Sequence, residues 1–219
     1  MKNVRREDWE SLQPTVFGWG INDVEYNVHK TKMVSNKQEI VWRCPYYRKW
    51  VKIIERCLCP KFQEKYPTYR GCTVAEDWRY FSNFIKWVDS QPNKDWINCE
   101  PDKDILFEGN KHYSPETVVF VSRGVNVFIV DSAKDRGDHM IGVSYVPDNS
   151  KINPYQARCS NPFGKGRHIG SYPTELEAHK AWQAKKHEYA CMLADLQEDE
   201  RVSKLLYERY TPYKDWTNR

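Results

Sequence analysis

The stretch Asp102–Asn126, DKDILFEGNKHYSPETVVFVSRGVN, gathers carboxylate, amide and imidazole groups around one short loop. Asp102 and Asp104 stand two residues apart, so in extended backbone their side chains project to the same face. Glu108, Gly109, Asn110, Lys111 and His112 follow as a polar turn around a glycine. Ser114-Pro115-Glu116 then carries the signature of one helical turn, with Ser114 as N-cap and Pro115 at the first helical position. The expected order is strand, loop, short helix. Hard oxygen ligands beside an imidazole suit a divalent-metal site, because Mg²⁺ takes carboxylate and carbonyl oxygens and leaves positions open for phosphate. The same D-x-D and G-N residues also suit an ordinary surface turn.

Around this stretch, a chain of 219 residues is long enough for one large domain or two small ones with a real core. Nine Trp, 14 Tyr and 8 Phe supply small cores and also surfaces that stack on bases or sugars. A net charge of +4 makes the whole chain mildly basic, so the distribution of Lys and Arg matters more than their sum. No apolar run reaches membrane-spanning length, and the start, MKNVRREDWE, lacks the apolar segment of a signal peptide. These features predict a soluble intracellular protein with no membrane partner. The seven cysteines are scattered and odd in number, which argues against a disulfide framework. Their one close pair, Cys57-Leu58-Cys59, is not a C-x-x-C knuckle. Structural Zn²⁺ on Cys44, Cys57, Cys59 and Cys72 is therefore the lesser reading beside buried free thiols.

Residues 1–43 contain the glycine-bracketed turn GWGINDVEYNVHK and the polar stretch KTKMVSNKQE. They read as an N-terminal extension with little regular structure, packing Trp9, Phe17, Trp19 and Tyr26 onto its neighbour. From Tyr46 to Leu58, apolar groups at Tyr46, Trp50, Ile53, Ile54, Cys57 and Leu58 make the stripe of an amphipathic helix. Its other face carries Arg48, Lys49, Lys52 and Arg56, a solvated face that could also lie along a phosphate backbone. Pro60 is expected to stop this helix. Thr73-Val74-Ala75-Glu76 has the pattern of a capping box opening a second helix, with Trp78, Phe81, Phe84, Ile85 and Val88 on its apolar face. The two helices form a platform directly before Asp102–Asn126.

The final third changes character. HMIGVSYV, PYQARCS and RHIGSY, separated by polar and glycine-rich turns, read as a three-stranded antiparallel meander. Thr174-Glu175-Leu176-Glu177 is a capping box opening a long helix with Ala178, Trp182, Tyr189, Leu193 and Leu196 on one side. In the middle strand Tyr155, Ala157 and Cys159 share one face, and Gln156, Arg158 and Ser160 share the other. Small Ala157 should face the helix and Arg158 the solvent. Arg136, Lys151, Lys165, Arg167 and His168 add to a basic open face, with Arg167 placed in the turn; such a face suits a sheet laid in a DNA groove. A short helix, RVSKLLYERY, and a polar tail close the chain.

Taken together, G-x-G-x-N-D at Gly18–Asp23, then CPYYRKW, P-T-Y-R-G-C-x-V-x-E-x-W, DKDIL, GNK-x-YSPET and FVSRGVN resemble bacteriophage HNH-type homing endonucleases. The tail, through R-G, I-G-V-S, Y-Q-A-R, I-G-S-Y-P-T and E-A-H-K-A-W, resembles the AP2-like DNA-binding domain often attached to them. The resemblance spans roughly residues 16–197. It implies an α+β fold: a helical platform, a ββα-metal (HNH-like) segment, then a small three-stranded antiparallel sheet packed on one helix. The implied division is an extension over 1–43, a nuclease-like domain over 44–128, an AP2-like domain over 129–198 and a C-terminal helix and tail over 199–219.

The implied activity is hydrolysis of DNA phosphodiester bonds, by homing or nicking, with Mg²⁺ or Mn²⁺, in the cytoplasm of an infected bacterial host. The alternative is a catalytically decayed scaffold that binds double-stranded DNA as a repressor or competitor. Carried over by position, the strand-end D-H-I of the family becomes Asp102-Lys103-Asp104-Ile105, the loop asparagine is Asn110, the helix residue is Thr117 and the trailing asparagine is Asn126. No histidine occupies the general-base position. Asp104 or the offset His112 is then expected to activate water, Asp102, Asp104 and Asn126 to hold the metal, and Asn110 to order the loop. DNA contacts are expected from Arg136, Lys151, Gln156, Arg158, Lys165, Arg167 and His168.

Overall fold

A computed structural model describes residues 15–130, 138–148 and 150–211, and the chain divides into two compact units, Met1–Phe120 and Val121–Arg219. The protein is a mixed α+β chain with small, mostly antiparallel sheets, as its sequence predicts at that level. Among the described residues no helix is long and apolar enough to cross a membrane.

From Thr15 to Arg43 the described part of the first unit is strand and turn and not an irregular arm. β1 (Thr15–Val16) pairs with β2 (Gly20–Ile21), and β3 (His29–Val34) pairs with β4 (Lys37–Arg43) in a longer hairpin. The turn between β3 and β4 holds Ser35 and Asn36 at φ 46° and 61°, the pair of positive values that a tight type I′ hairpin turn requires. Every residue of β3 and β4 is exposed, so no alternation of apolar and polar residues betrays them in the sequence. Trp19 packs against the core as expected, whereas Phe17 and Tyr26 are exposed; Trp9 lies outside the described residues.

The core of this unit forms between two helices. α1 (Pro45–Leu58) buries Trp50, Ile53, Ile54 and Cys57, which recur at i, i+3, i+4 and i+7. Pro60 ends α1 and also opens α2 (Pro60–Lys65), since a first helical residue needs no N–H. α3 (Phe81–Ser90) buries Phe81, Phe84, Trp87 and Val88. The Trp50 and Phe81 rings meet at 5.1 Å, Trp78 stands edge-on to Phe84 at 5.2 Å, and the Trp50 indole donates to the Trp78 carbonyl at 2.7 Å. Each such buried ring contributes about 1.5–3 kcal/mol over its exposed state.

β5 (Thr73–Val74), β6 (Glu100–Asp102), β7 (His112–Tyr113) and β8 (Val119–Val121) form two further pairs, β5 with β7 in parallel and β6 with β8. Thr73 is thus a strand residue and not a helix cap. A 3₁₀ turn, Glu76–Arg79, precedes α3, and no side chain of the Thr73–Glu76 stretch caps it. The first turn of α3 is served from a distance instead: Asp23 accepts the Ser82 N–H at 2.8 Å and the Ser82 hydroxyl at 2.6 Å. This gives Asp23, the last residue of the G-x-G-x-N-D motif, a structural role.

In the second unit, α4 (Arg123–Ile129) is capped by Ser122, whose hydroxyl accepts the Val125 N–H at 3.2 Å. The predicted meander follows: β9 (Val143–Tyr145), β10 (Tyr155–Arg158) and β11 (His168–Tyr172) pair antiparallel with β10 in the centre. α5 (Glu175–Ala194) packs against all three strands and opens with the predicted capping box of Thr174 and Glu177. α6 (Glu200–Arg209), capped by Asp199, packs on α5. β9 is entered through Gly142, at φ 81°, where a Cβ would stand 2.1 Å from ring carbons of Trp182.

The stripe of α5 differs from the predicted one. Leu196 lies beyond the end of α5 and is 67% exposed, while His179, Gln183 and Lys186 are buried. The Lys186 ammonium donates to the Phe128 carbonyl at 2.5 Å and lies 3.6 Å from the Phe128 ring centroid, so a carbonyl and a π face replace its water.

Candidate functional site

The open face of the second unit's sheet carries a groove of about 560 Å³ lined by Gln156, Arg158, Ser160, Arg167 and His168. Strand alternation explains most of it. Ala157 is fully buried toward α5, which turns Arg158 outward. The pairing of β10 with β11 shifts between Ala157 and Arg158, a bulge that sets Arg158 opposite His168. Arg158 donates to the Gln156 side-chain oxygen at 2.8 Å, which holds the guanidinium over the groove floor. Arg167 directly precedes β11, past the turn in which it was expected, and its carbonyl accepts the Cys159 N–H at 2.8 Å. Four of the seven expected DNA contacts therefore meet in one place. Lys151 and Lys165 are exposed on loops and do not line the groove, and Arg136 lies outside the described residues.

The other expected site is a loop of the first unit held by its own side chains. Asp102, at the end of β6, accepts the N–H groups of Asp104 at 3.0 Å and Ile105 at 2.9 Å through one carboxylate oxygen. That turn brings the Asp104 carboxyl back to the Asp102 carboxyl. Burial, then the hydrogen bond and charge of Asp104, raise the Asp102 carboxyl above its ordinary range. Burial pushes Asp104 the same way, but its hydrogen bond with Asp102 and the Lys103 ammonium outweigh that effect and hold Asp104 below the usual carboxylate range. Lys103 is buried, with its ammonium 3.2 Å from Asp104 and 5.7 Å from the Tyr113 ring centroid.

Asn110 laces the two sides of this loop. Its amide donates to the carbonyls of Lys103 at 2.7 Å and His112 at 2.8 Å, and its oxygen accepts the His112 N–H at 3.0 Å. The His112 ring lies 2.8 Å from the Thr73 hydroxyl. The expected helix at Ser114-Pro115-Glu116 is a turn instead, closed by the N–H groups of Thr117 and Val118 on the Ser114 carbonyl. It does not propagate because Val118–Val121 run on as a fully buried extended segment. The Thr117 hydroxyl is spent inside the turn, donating to the His112 carbonyl at 2.7 Å. Asp102, Asp104, Asn110 and His112 thus share one loop of the first unit. Asn126 belongs to α4 of the second unit.

As arranged, this loop does not fit a resident divalent ion. Lys103 already supplies the countercharge to Asp104, and one Asp102 oxygen is committed to two backbone amides. Among the described residues no three His, Cys, Asp or Glu side chains are placed to hold a metal ion. Cys57 is buried, which pushes its thiol up to about 12, with the Cys72 thiol acting in the same direction.

Alternation along β10 pointed to most of the groove, and Ser160 stood on the predicted face without being singled out. Nothing local signalled Lys103, because a lysine between two aspartates reads as a solvated charge. No family model matches the chain, and no curated protein or solved structure is found to be similar to it.

Proposed function

We propose that the chain binds duplex DNA by laying the three-stranded sheet of its second unit in a groove, as a repressor or competitor on a nuclease-type scaffold. The observation that carries this reading is the groove of Gln156, Arg158, Ser160, Arg167 and His168. Arg is the side chain that pairs bidentately with guanine edges, and the bond from Arg158 to the buried Gln156 oxygen holds the guanidinium in place, so it loses little freedom on docking. Exposed Lys151 and Lys165 on the neighbouring loops suit phosphate contacts that fix register. The test is fluorescence anisotropy on a pool of labelled duplexes across a salt series. Affinity is expected to fall steeply with salt, and Arg158→Ala is expected to weaken the selected duplex by about 1–3 kcal/mol, roughly 5- to 150-fold. Binding that ignores both salt and Arg158→Ala refutes the proposal.

A second reading, a homing or nicking DNA endonuclease using Mg²⁺ or Mn²⁺, is favoured by the meeting of the Asp102 and Asp104 carboxyls in one loop. It requires the Lys103 ammonium to be displaced from Asp104. Supercoiled DNA incubated with either metal decides it: cutting that disappears in Asp104→Ala supports the reading, and intact DNA, or cutting that Asp104→Ala leaves unchanged, removes it.

A further inference from the structure

α1 buries one face and turns another outward, and that second face is not idle charge. Arg48, Lys52 and Arg56 recur every four residues along it, with Lys49 beside them. Together with Ile97, Glu100 and Pro101 these four residues line a cavity of about 160 Å³ within the first unit. Four cations face a single carboxylate there. Two of them are fixed in place: buried Lys49 donates to the Cys99 carbonyl, and the Arg56 guanidinium lies 3.4 Å from the Tyr113 hydroxyl and 5.3 Å from the Tyr69 ring centroid. Arg48 and Lys52 are exposed. Among the described residues none of the four has a carboxylate oxygen within 4.0 Å.

Four cations that converge on a concavity holding only the Glu100 carboxylate repel one another beyond what that one charge offsets, and an anion relieves the excess. The cavity is narrow, and its charge comes from two guanidinium forks and two ammonium groups, the donors that suit phosphate oxygens. We infer that this cleft binds a phosphate group, supplied by the backbone of a nucleic acid or by free phosphate. It is a contact apart from the sheet groove, and only the nucleic-acid source rests on the DNA-binding reading.

The test uses the full chain and the double variant Arg48→Gln, Lys52→Gln, both at exposed positions, with circular dichroism as the check on folding. Inorganic phosphate is titrated by calorimetry at constant ionic strength, and duplex DNA affinity is measured across a salt series. The native chain is expected to bind phosphate and the variant to lose at least tenfold of that affinity. Where the phosphate belongs to DNA, the variant also lowers the salt slope by about one, the signature of one phosphate contact removed. Phosphate loss with an unchanged slope assigns the cleft to free phosphate. A variant that matches the native chain in both measurements, or a native chain that takes up no phosphate while the slope stays the same, overturns the inference. If the native chain binds no DNA at all, the DNA-binding proposal fails and the phosphate titration alone decides the cleft.

Discussion

Replacing Gly142 with alanine is expected to destabilise the second unit by about 2–5 kcal/mol. Two costs add. At φ 81° an alanine adopts a left-handed backbone, which costs about 1–2 kcal/mol. Its methyl would also stand 2.1 Å from Trp182 ring carbons, far inside van der Waals contact. The indole has little room to retreat, because it stacks on His179 at 5.4 Å and meets Tyr210 edge-on at 6.3 Å. Forced overpacking of that kind costs about 1–3 kcal/mol. Gly166 supplies the control, since its φ is 105° and nothing lies within 4 Å of a Cβ built there, so alanine meets backbone strain alone. Urea unfolding followed by far-ultraviolet circular dichroism gives the two free energies. If Gly142→Ala falls within about 0.5 kcal/mol of Gly166→Ala, the clash with Trp182 contributes nothing and the reasoning fails.

Two further outcomes are expected. Asp102→Asn keeps the oxygen that accepts the Asp104 and Ile105 amides, whereas Asp102→Ala loses both hydrogen bonds, at about 1 kcal/mol each. Because the Asp102 carboxyl is raised, ionising it opposes folding, and that cost appears as pH climbs through its folded-state value. Stability measured from pH 3 to 7 should therefore show Asn gaining on the native residue as pH rises, with Ala below Asn throughout; equal curves for Asn and Ala would assign the loop's support to the charge. Cys57, with its thiol at about 12, should resist iodoacetamide at pH 8 in the folded chain while half-exposed Cys59 reacts, and mass mapping that finds both modified at one rate contradicts the burial.

What could be read from the residues depended on how far apart the partners were. α1 was legible because its apolar positions obey one local period, and α5 because Thr174 and Glu177 cap it from within four residues. Thr73 and Glu76 show the same local pattern, yet Thr73 pairs with His112, 39 positions away, and that long-range partner prevails over the local one. Asp23 reaches Ser82 across 59 positions, a contact no window of sequence contains. The groove face followed from strand alternation, since Ala157 and Arg158 could not both point inward. Lys103 and Lys186 were missed for one reason: hydropathy places lysine outside, and only the fold reveals the carboxylate, carbonyl and rings that let each ammonium leave water.

The β3–β4 hairpin has a consequence for how copies of this chain behave in concentrated solution. A ribbon of two strands has no interior strand, so each outer edge presents unpaired backbone groups to any passing strand. Met33, Val34, Ile40, Val41 and Trp42 are all exposed on it, which makes those edges adhesive. Lys30, Lys32 and Lys37 are spread along the same ribbon, and bringing two such ribbons together sets their ammonium groups against one another. The lysines therefore act as gatekeepers, and neutralising them would turn the ribbon into a seed for edge-to-edge aggregation.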